Sequence, residues 1–192
     1  MNHSDTSPES SGGQPPASPM PEGLSASADA ATAASILIGR AAIGLLTDDH
    51  RKAQVLFADY LVLANAQADP AEKFSIARQV CGDLLIHLAI EEAIFYPRVR
   101  HSRQDDQLVD QAEQEHDAAK ELIRRIGEID PGDPRFDESM QSLSAEIMAH
   151  VEQEETIVFP KMLLAGPNLG TIGTELLTAK NEMRLNLGLE PE

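Results

Sequence analysis

After about residue 32, no stretch of the chain alternates apolar and polar residues for long, and Ala, Leu, Glu, Gln and Arg dominate. This pattern is typical of helices rather than strands. The predicted helices are four long ones, at about 33–65, 71–100, 106–129 and 136–164, and a shorter one at about 171–186. Four long helices with short connections favour an all-α, up-down-up-down four-helix bundle.

Turn-forming residues separate the predicted helices. Asp69 and Pro70 mark the boundary between the first two, and a polar stretch at 101–105 precedes the third. The sequence DPGDP at 130–134 is a strong turn signal before the fourth. Gly44 predicts a break within the first helix, with Thr47 or Asp48 capping the second start.

The start of the chain differs in composition from the helical part. Residues 1–32 are Ser, Pro, Gly and Ala with a few acids and almost no large apolar side chain. Such a segment buries too little surface to offset its ordering entropy, so it is predicted to be disordered. The expected organisation is a tail at 1–32, a bundle at 33–165 and a C-terminal extension with a short helix at 166–192.

One phrase of the sequence occurs twice. Residues 87–99 read HLAIEEAIFYPRV and residues 150–162 read HVEQEETIVFPKM, with His, two Glu, Ile, an aromatic residue, Pro and a basic residue at the same offsets. One helix earlier each phrase has a further histidine, His50 in DHRKAQVL and His116 in EHDAAKEL. The chain therefore resembles a duplicated helical hairpin rather than a solenoid, which needs at least three repeats.

The repeated residues have the chemistry of metal ligands. Residues four apart on a helix point the same way, so each His-x-x-x-Glu pair offers an imidazole and a carboxylate to one cation. With a histidine from each partner helix, the candidate ligands are His50, His87, Glu91, His116, His150 and Glu154. This donor set suits iron, and also manganese or zinc. The alternative is a structural echo of the duplication without a metal.

These motifs resemble those of the hemerythrin-like HHE cation-binding domains, over about residues 34–164. The resemblance implies a four-helix bundle with a non-haem di-iron centre, bridged by two carboxylates and an oxo or hydroxo group. It also implies binding of oxygen, sensing of oxygen or iron, or action on peroxide or nitric oxide. Two departures from the oxygen-carrying members argue against simple oxygen carriage: Lys120 replaces a second histidine, and His150-x-x-x-Glu154 replaces a longer His-to-Asp spacing, with Glu155 as a candidate substitute.

Other residues near the motifs have candidate roles. Asp83 and Glu146 lie four residues before His87 and His150, so they are predicted to orient those imidazoles. Tyr96 falls about half a turn away from the ligand face on an ordinary helix. It is therefore, with Tyr60, a weaker candidate for contact with a metal.

Charge and cysteine content narrow the setting. The net charge of −17 disfavours nucleic acid and anionic membranes as partners. Cys81 is the sole cysteine, which fits a reducing cytoplasm and predicts a buried, inert thiol. The apolar stretch 30–46 is interrupted by Arg40 and is too short to cross a bilayer.

Three hypotheses of function follow from the sequence. The first is a cytoplasmic di-iron protein that binds oxygen or a related small ligand, with peroxide decomposition as the enzymatic version. The second is a sensor in which iron or oxygen occupancy controls bundle folding and binding of a protein partner. The third is an acidic interaction module without a metal.

Overall fold

The computed structural model describes Met1 and residues 23–103, 106–164 and 171–191. Within these ranges the secondary structure is helical, without a strand. The helices are α1 (Gly23–Asn65), α2 (Pro70–Ile90), α3 (Tyr96–Arg103), α4 (Asp106–Ile126), α5 (Pro134–Gln153), α6 (Phe159–Leu164) and α7 (Ile172–Asn186). A first π segment, Glu91–Phe95, joins α2 to α3, and a second π segment, Glu154–Val158, joins α5 to α6. None of the described helices combines the length and the apolar character needed to cross a membrane.

Helix α1 is longer than the sequence pattern predicts. It begins at Gly23 instead of about residue 33, and it continues through Gly44 without a break. The added stretch is rich in Ala, the best helix former, which explains the earlier start. The remainder of the predicted disordered tail, residues 2–22, lies outside the described residues.

The two hairpins begin their second helices in the same way. The Asp69 carboxylate accepts a hydrogen bond from the Ala71 backbone N–H at 2.8 Å, ahead of Pro70 in the first turn of α2. The Asp133 carboxylate accepts one from the Arg135 N–H at 2.9 Å, ahead of Pro134 in α5. Each aspartate satisfies a backbone donor that the helix leaves unpaired, so both turn signals in the sequence mark true helix starts.

The apolar core has two parts. One cluster, which includes Phe57, Val80 and Phe136, fills the end of the molecule near the Asp69 and Asp133 caps. The other, which includes Leu46 and Phe95, lies toward the opposite end of the helices. The six candidate metal ligands lie between these two clusters. Apolar side chains therefore close the site from both ends of the helices.

Helix α1 packs against α2, helix α4 packs against α5, and α7 packs across both α1 and α2. Ile172 and Leu176 of α7 are fully buried. Gly173 lies so close to α1 that a Cβ at this position would come within 3.3 Å of the Ala42 backbone nitrogen. Helix α7 therefore docks with its backbone close to that of α1, and glycine makes this approach possible.

Candidate metal centre

All six predicted ligands come together in the interior. His50 lies on α1, His87 on α2, His116 on α4 and His150 on α5. Glu91 and Glu154 are the first residues of the two π segments. Each of the six side chains is at most 4% exposed.

The first His/Glu group consists of His50, His87, Glu91 and Glu154, whose nearest donor atoms all lie within 4.8 Å of one another. The Nε2 atoms of His50 and His87 are 3.2 Å apart. Oε2 of Glu154 lies 3.3 Å from the His50 Nε2, and Oε2 of Glu91 lies 3.2 Å from the His87 Nε2. These four donors converge as the ligands of one cation would.

The second His/Glu group consists of His116, His150 and, again, Glu91. The Nε2 atoms of the two imidazoles are 3.1 Å apart, and Oε2 of Glu91 lies 3.4 Å from that of His116. Oε2 of Glu154 lies 3.5 Å from the His150 Nε2. Both glutamates therefore reach histidines of both groups, which is the placement of a bridging carboxylate.

Three carboxylate oxygens in the site have no hydrogen-bond partner among the described residues. They are both oxygens of Glu91 and Oε2 of Glu154, and all three are buried. A buried carboxylate without partners is costly unless a cation or proton neutralises it. The donor set and the unpaired oxygens therefore fit a metal.

The two glutamates have opposite pKa shifts. Burial raises the pKa of Glu91 well above its ordinary value, and the Glu154 charge adds to that rise. Burial opposes ionisation of Glu154 as well, but the surrounding His50, His150 and His87 lower its pKa to about 2. The protein alone thus favours one negative charge on the pair, whereas a cation between them would allow two.

Each imidazole is oriented by an outer carboxylate at its Nδ1 atom. Glu155 accepts from His50, Glu92 from His116 and Glu115 from His150, each at 2.9 Å. Asp49 lies 3.4 Å from the Nδ1 of His87. A proton on every Nδ1 leaves the Nε2 lone pairs directed at the centre, as metal ligation requires.

The prediction that Asp83 and Glu146 orient the imidazoles is wrong. Asp83 pairs with Lys52 and Arg184, each at 3.2 Å, and Glu146 is exposed. The true partners come from neighbouring helices, and each is adjacent in sequence to a predicted ligand. The signal that would have found them is the acidic residue beside each of His50, Glu91, His116 and Glu154.

Tyr96 lies in the site although an ordinary helix would turn it away. The first π segment closes with a bond from the Tyr96 N–H to the Glu91 carbonyl, five residues back, and this wide turn holds one extra residue. Tyr96 therefore comes close above Glu91. Its hydroxyl donates to Glu154 Oε1 at 2.9 Å and lies 2.9 Å from the His116 Nε2.

Burial and the nearby Glu91 and Glu154 charges raise the pKa of Tyr96, so the phenol stays protonated. Tyr60 is not near the centre, because its hydroxyl bonds to Asp137 at the opposite end of the core. Glu155 lies at the outer edge of the His50 ring rather than among the converging donors.

The π segments also accommodate the two prolines of the repeat. Pro97 and Pro160 each follow a π segment by two residues, and the helices continue beyond both. A proline in a regular helix lacks a donor and collides with the carbonyl four residues earlier. The widened turn shifts those carbonyls, so neither proline ends its helix.

A small cavity adjoins the first His/Glu group. Its volume is about 20 Å³, enough for a water-sized molecule. Its wall is formed by His50, His87 and His150, by the apolar Leu84 and Ile147, and by residues that include Lys180 of α7. A ligand larger than a water molecule would fit beside the imidazoles only if a side chain moved.

Comparison with known proteins places this arrangement in context. The family model of the hemerythrin HHE cation binding domain matches residues 41–162. A protein named DNA nickase, from Nostoc sp. (strain PCC 7120 / SAG 25.82 / UTEX 2576), is 31% identical over 144 residues. That alignment covers 73% of this chain but 39% of the relative, so the chain spans well under half of the relative's length. No solved structure matches the chain.

Proposed function

Because this chain belongs to the hemerythrin HHE cation-binding domain family, we propose that it is a non-haem di-iron protein that binds oxygen or a related small ligand. The family and the buried His/Glu groups point to metal binding. The proposed ligands are His50, His87, Glu91, His116, His150 and Glu154. We further propose that residues 33–165 form the metal-binding unit as an up-down-up-down bundle, in a reducing cytoplasm.

One observation carries this proposal. Three buried carboxylate oxygens without a hydrogen-bond partner among the described residues face four imidazole Nε2 atoms whose Nδ1 positions are already bonded to acids. The Nε2 atoms of His50 and His87 lie 3.2 Å apart, and those of His116 and His150 lie 3.1 Å apart, so with both rings of a pair neutral their lone pairs would face each other. Facing lone pairs repel, and a cation between them turns that repulsion into ligation.

The donor types support iron as the proposed metal. Imidazole and carboxylate donors without a thiolate suit iron, with manganese or zinc as the less favoured ions. Cys81 is the sole cysteine, and burial raises its pKa to about 12. It is therefore a thiol within the apolar core and not a ligand.

Bound iron would supply redox chemistry and an open coordination position for dioxygen, peroxide or nitric oxide. The chain itself contributes the surroundings. The apolar side chains above and below the site exclude bulk water, and the small cavity limits the ligand to a few atoms. The Tyr96 hydroxyl oxygen lies 2.9 Å from both Glu154 Oε1 and His116 Nε2, so a polar ligand here would compete with Glu154 for the phenol proton.

Metal analysis of wild-type protein and two glutamate variants tests the proposal. Protein from iron-replete cells is expected to hold two irons per chain and to absorb in the near ultraviolet. Glu91→Gln should lose both metals, because Glu91 reaches both groups. Glu152→Gln, an exposed residue of the same motif region, is the matched control and should keep both. Wild-type protein without stoichiometric metal would refute the assignment.

A sensor is the second candidate function. Without a cation, the interior cannot hold a charge on both Glu91 and Glu154 without a cost in stability, so metal occupancy should control folding. A large gain in thermal stability with iron, without turnover of added peroxide, favours the sensor. Gas evolution from peroxide favours the enzyme.

The named activity of the relative raises DNA as a partner to be tested. The alignment covers 39% of the DNA nickase, so we propose that the shared part is the metal-binding domain and that nicking needs the rest of that protein. The net charge of −17 supports this division. Supercoiled plasmid incubated with the iron-loaded chain should remain intact, and conversion to nicked circles would overturn this proposal.

A further inference from the structure

We propose that α7 completes the metal centre: Lys180 is a positioning residue that fixes the His87 imidazole through Asp49. Helix α7, at Ile172–Asn186, lies beyond the segment that matches the family, which ends at residue 162. The inference rests on the proposed function, because it assigns control of one of the two proposed metal positions to an added helix.

The contacts form a continuous chain from α7 to the site. The Lys180 ammonium donates to Oδ1 of Asp49 at 2.5 Å. The other oxygen, Oδ2, lies 3.4 Å from the Nδ1 of His87. Lys180 is buried, at 5% exposed, and the Asp49 side chain is 12% exposed. One carboxylate therefore joins the ammonium to the imidazole, and the ammonium determines which oxygen faces the ring.

The electrostatics agree with this geometry. The Lys180 ammonium places a positive charge against the Asp49 carboxylate, on the side away from the His87 ring. A carboxylate beside Nδ1 accepts the proton of that ring nitrogen, which keeps the Nε2 lone pair available to a metal. Without Lys180, the Asp49 carboxylate would lose the positive charge that offsets its desolvation, and it would be held by one fewer hydrogen bond.

The position of Lys180 is set by apolar docking one and two turns earlier. Ile172 and Leu176 are fully buried, and Gly173 brings the α7 backbone against α1. Because Leu176 and Lys180 are four residues apart, both face the same side of the helix. A helix docked through its apolar side chains therefore positions the ammonium beside Asp49.

Two of the three other outer carboxylates are held by residues of the hairpins. Glu92 bonds to Lys120 of α4, and Glu115 accepts from Gln111 of its own helix. Asp49 receives its cation from an element outside the duplicated hairpins. Loss of Lys180 should therefore affect the first His/Glu group and spare the second.

The coupling must also act in the opposite direction. A metal that holds His87 restrains Asp49, and Asp49 restrains Lys180, so metal in the first group should stabilise docking of α7. Such reciprocity is required of any two linked binding events. A protein partner that binds docked α7 would then respond to the occupancy of one metal position.

Metal titration of three full-length proteins tests this inference. Ferrous iron is added anaerobically against a chromogenic chelator to wild type, Lys180→Met and Arg184→Met. Arg184 lies one turn beyond Lys180 and pairs with Asp83, so its variant loses a comparable contact between α7 and α2. We expect Lys180→Met to weaken one of two binding steps by about 10-fold, as loss of an outer-shell contact does. Arg184→Met should leave both steps within about twofold, and Lys180→Arg should restore most of the loss.

Several outcomes would overturn the inference. Equal weakening in the Lys180→Met and Arg184→Met proteins would reduce Lys180 to a general contact of α7. Equal weakening of both binding steps would remove the link to His87. If Lys180→Met fails to fold, backbone amide exchange in wild type decides: residues 176–184 should exchange several-fold more slowly with iron, and unchanged exchange overturns the inference. Absence of iron binding in wild type would instead refute the proposed function.

Discussion

The two hairpins of this molecule place the same ligands at equivalent positions but surround them differently. His50, His87 and Glu91 of the first hairpin correspond to His116, His150 and Glu154 of the second. The residue after each π segment is Tyr96 in the first and Phe159 in the second. The Tyr96 hydroxyl bonds to Glu154, whereas the Phe159 ring stacks on His50 at 5.6 Å. The two repeats therefore offer similar ligands in chemically unequal surroundings.

The difference is clearest at the equivalent histidines of α1 and α4. Burial lowers the pKa of both rings, but Glu154 and Glu155 reverse this at His50 and raise its pKa. At His116 burial and the neighbouring His150 lower the pKa to about 2. Of these two histidines, it is therefore His50 that holds a proton in the metal-free protein.

Removing one histidine from either hairpin should cause the largest change in metal binding. His50→Ala and His116→Ala should each retain one metal, since each takes a donor from one group. Affinity at the altered position should fall at least about 100-fold, the upper end of what outer-shell changes cost. Iron per chain by mass spectrometry should drop from two to one in both proteins. Loss of both metals from either variant would mean that the two positions fill only as a pair.

The pH dependence of stability should differ between the hairpins in the metal-free protein. His116 has a lowered pKa, so unfolding takes up a proton below about pH 6.5, and stability falls as pH falls from there. The loss is about 1.4 kcal/mol for each pH unit. His50 has a raised pKa, so its contribution is present below pH 6.5 and is lost as pH rises.

Denaturation of the metal-free His116→Leu and His50→Leu proteins separates these contributions. The first variant should lose part of the acid sensitivity between about pH 4 and 6.5, whereas the second should not. Imidazole resonances followed by nuclear magnetic resonance give an independent check. A His116 ring that gains its proton near pH 6.5 would contradict the asymmetry.

Tyr96→Phe should have a smaller effect than the loss of a histidine, but it should still alter the metal site. The change removes the donor to Glu154 Oε1, and a buried acceptor left unpaired costs about 1–3 kcal/mol of unfolding free energy. The near-ultraviolet absorption of the iron-loaded protein should shift as well. Tyr60→Phe is the matched control, because its hydroxyl bonds to Asp137 away from the centre. An equal spectral shift in both variants would show that Tyr96 has no specific role.

The sequence predicted that these six side chains would converge, because the same motif occurs twice. Two His-x-x-x-Glu pairs with matched surroundings left little freedom, and all six residues converge. Tyr96 was misplaced because a helical wheel assumes an unbroken α-helix, and the extra residue of a π segment depends on tertiary packing. The outer carboxylates were sought one turn away on the same helix, but they come from neighbouring helices. Lys180 bonds to a residue 131 positions away, for which the pattern of one sequence gives no signal.

Lys120→Met should have the smallest effect, and it tests the remaining difference between the hairpins. Lys120 lies four residues after His116 and bonds to both oxygens of Glu92 at 2.6 and 2.8 Å, while the equivalent residue after His50 is the exposed Gln54. The Lys120 side chain is 35% exposed, so solvent screens the pair and its loss should cost no more than about 1 kcal/mol of unfolding free energy. Because Glu92 orients His116, the affinity of one metal position should nevertheless fall a few-fold. Gln54→Met is the control and should leave the affinity of both metal positions unchanged. Equal metal affinities in the two variants would show that Lys120 and Gln54 do not distinguish the hairpins.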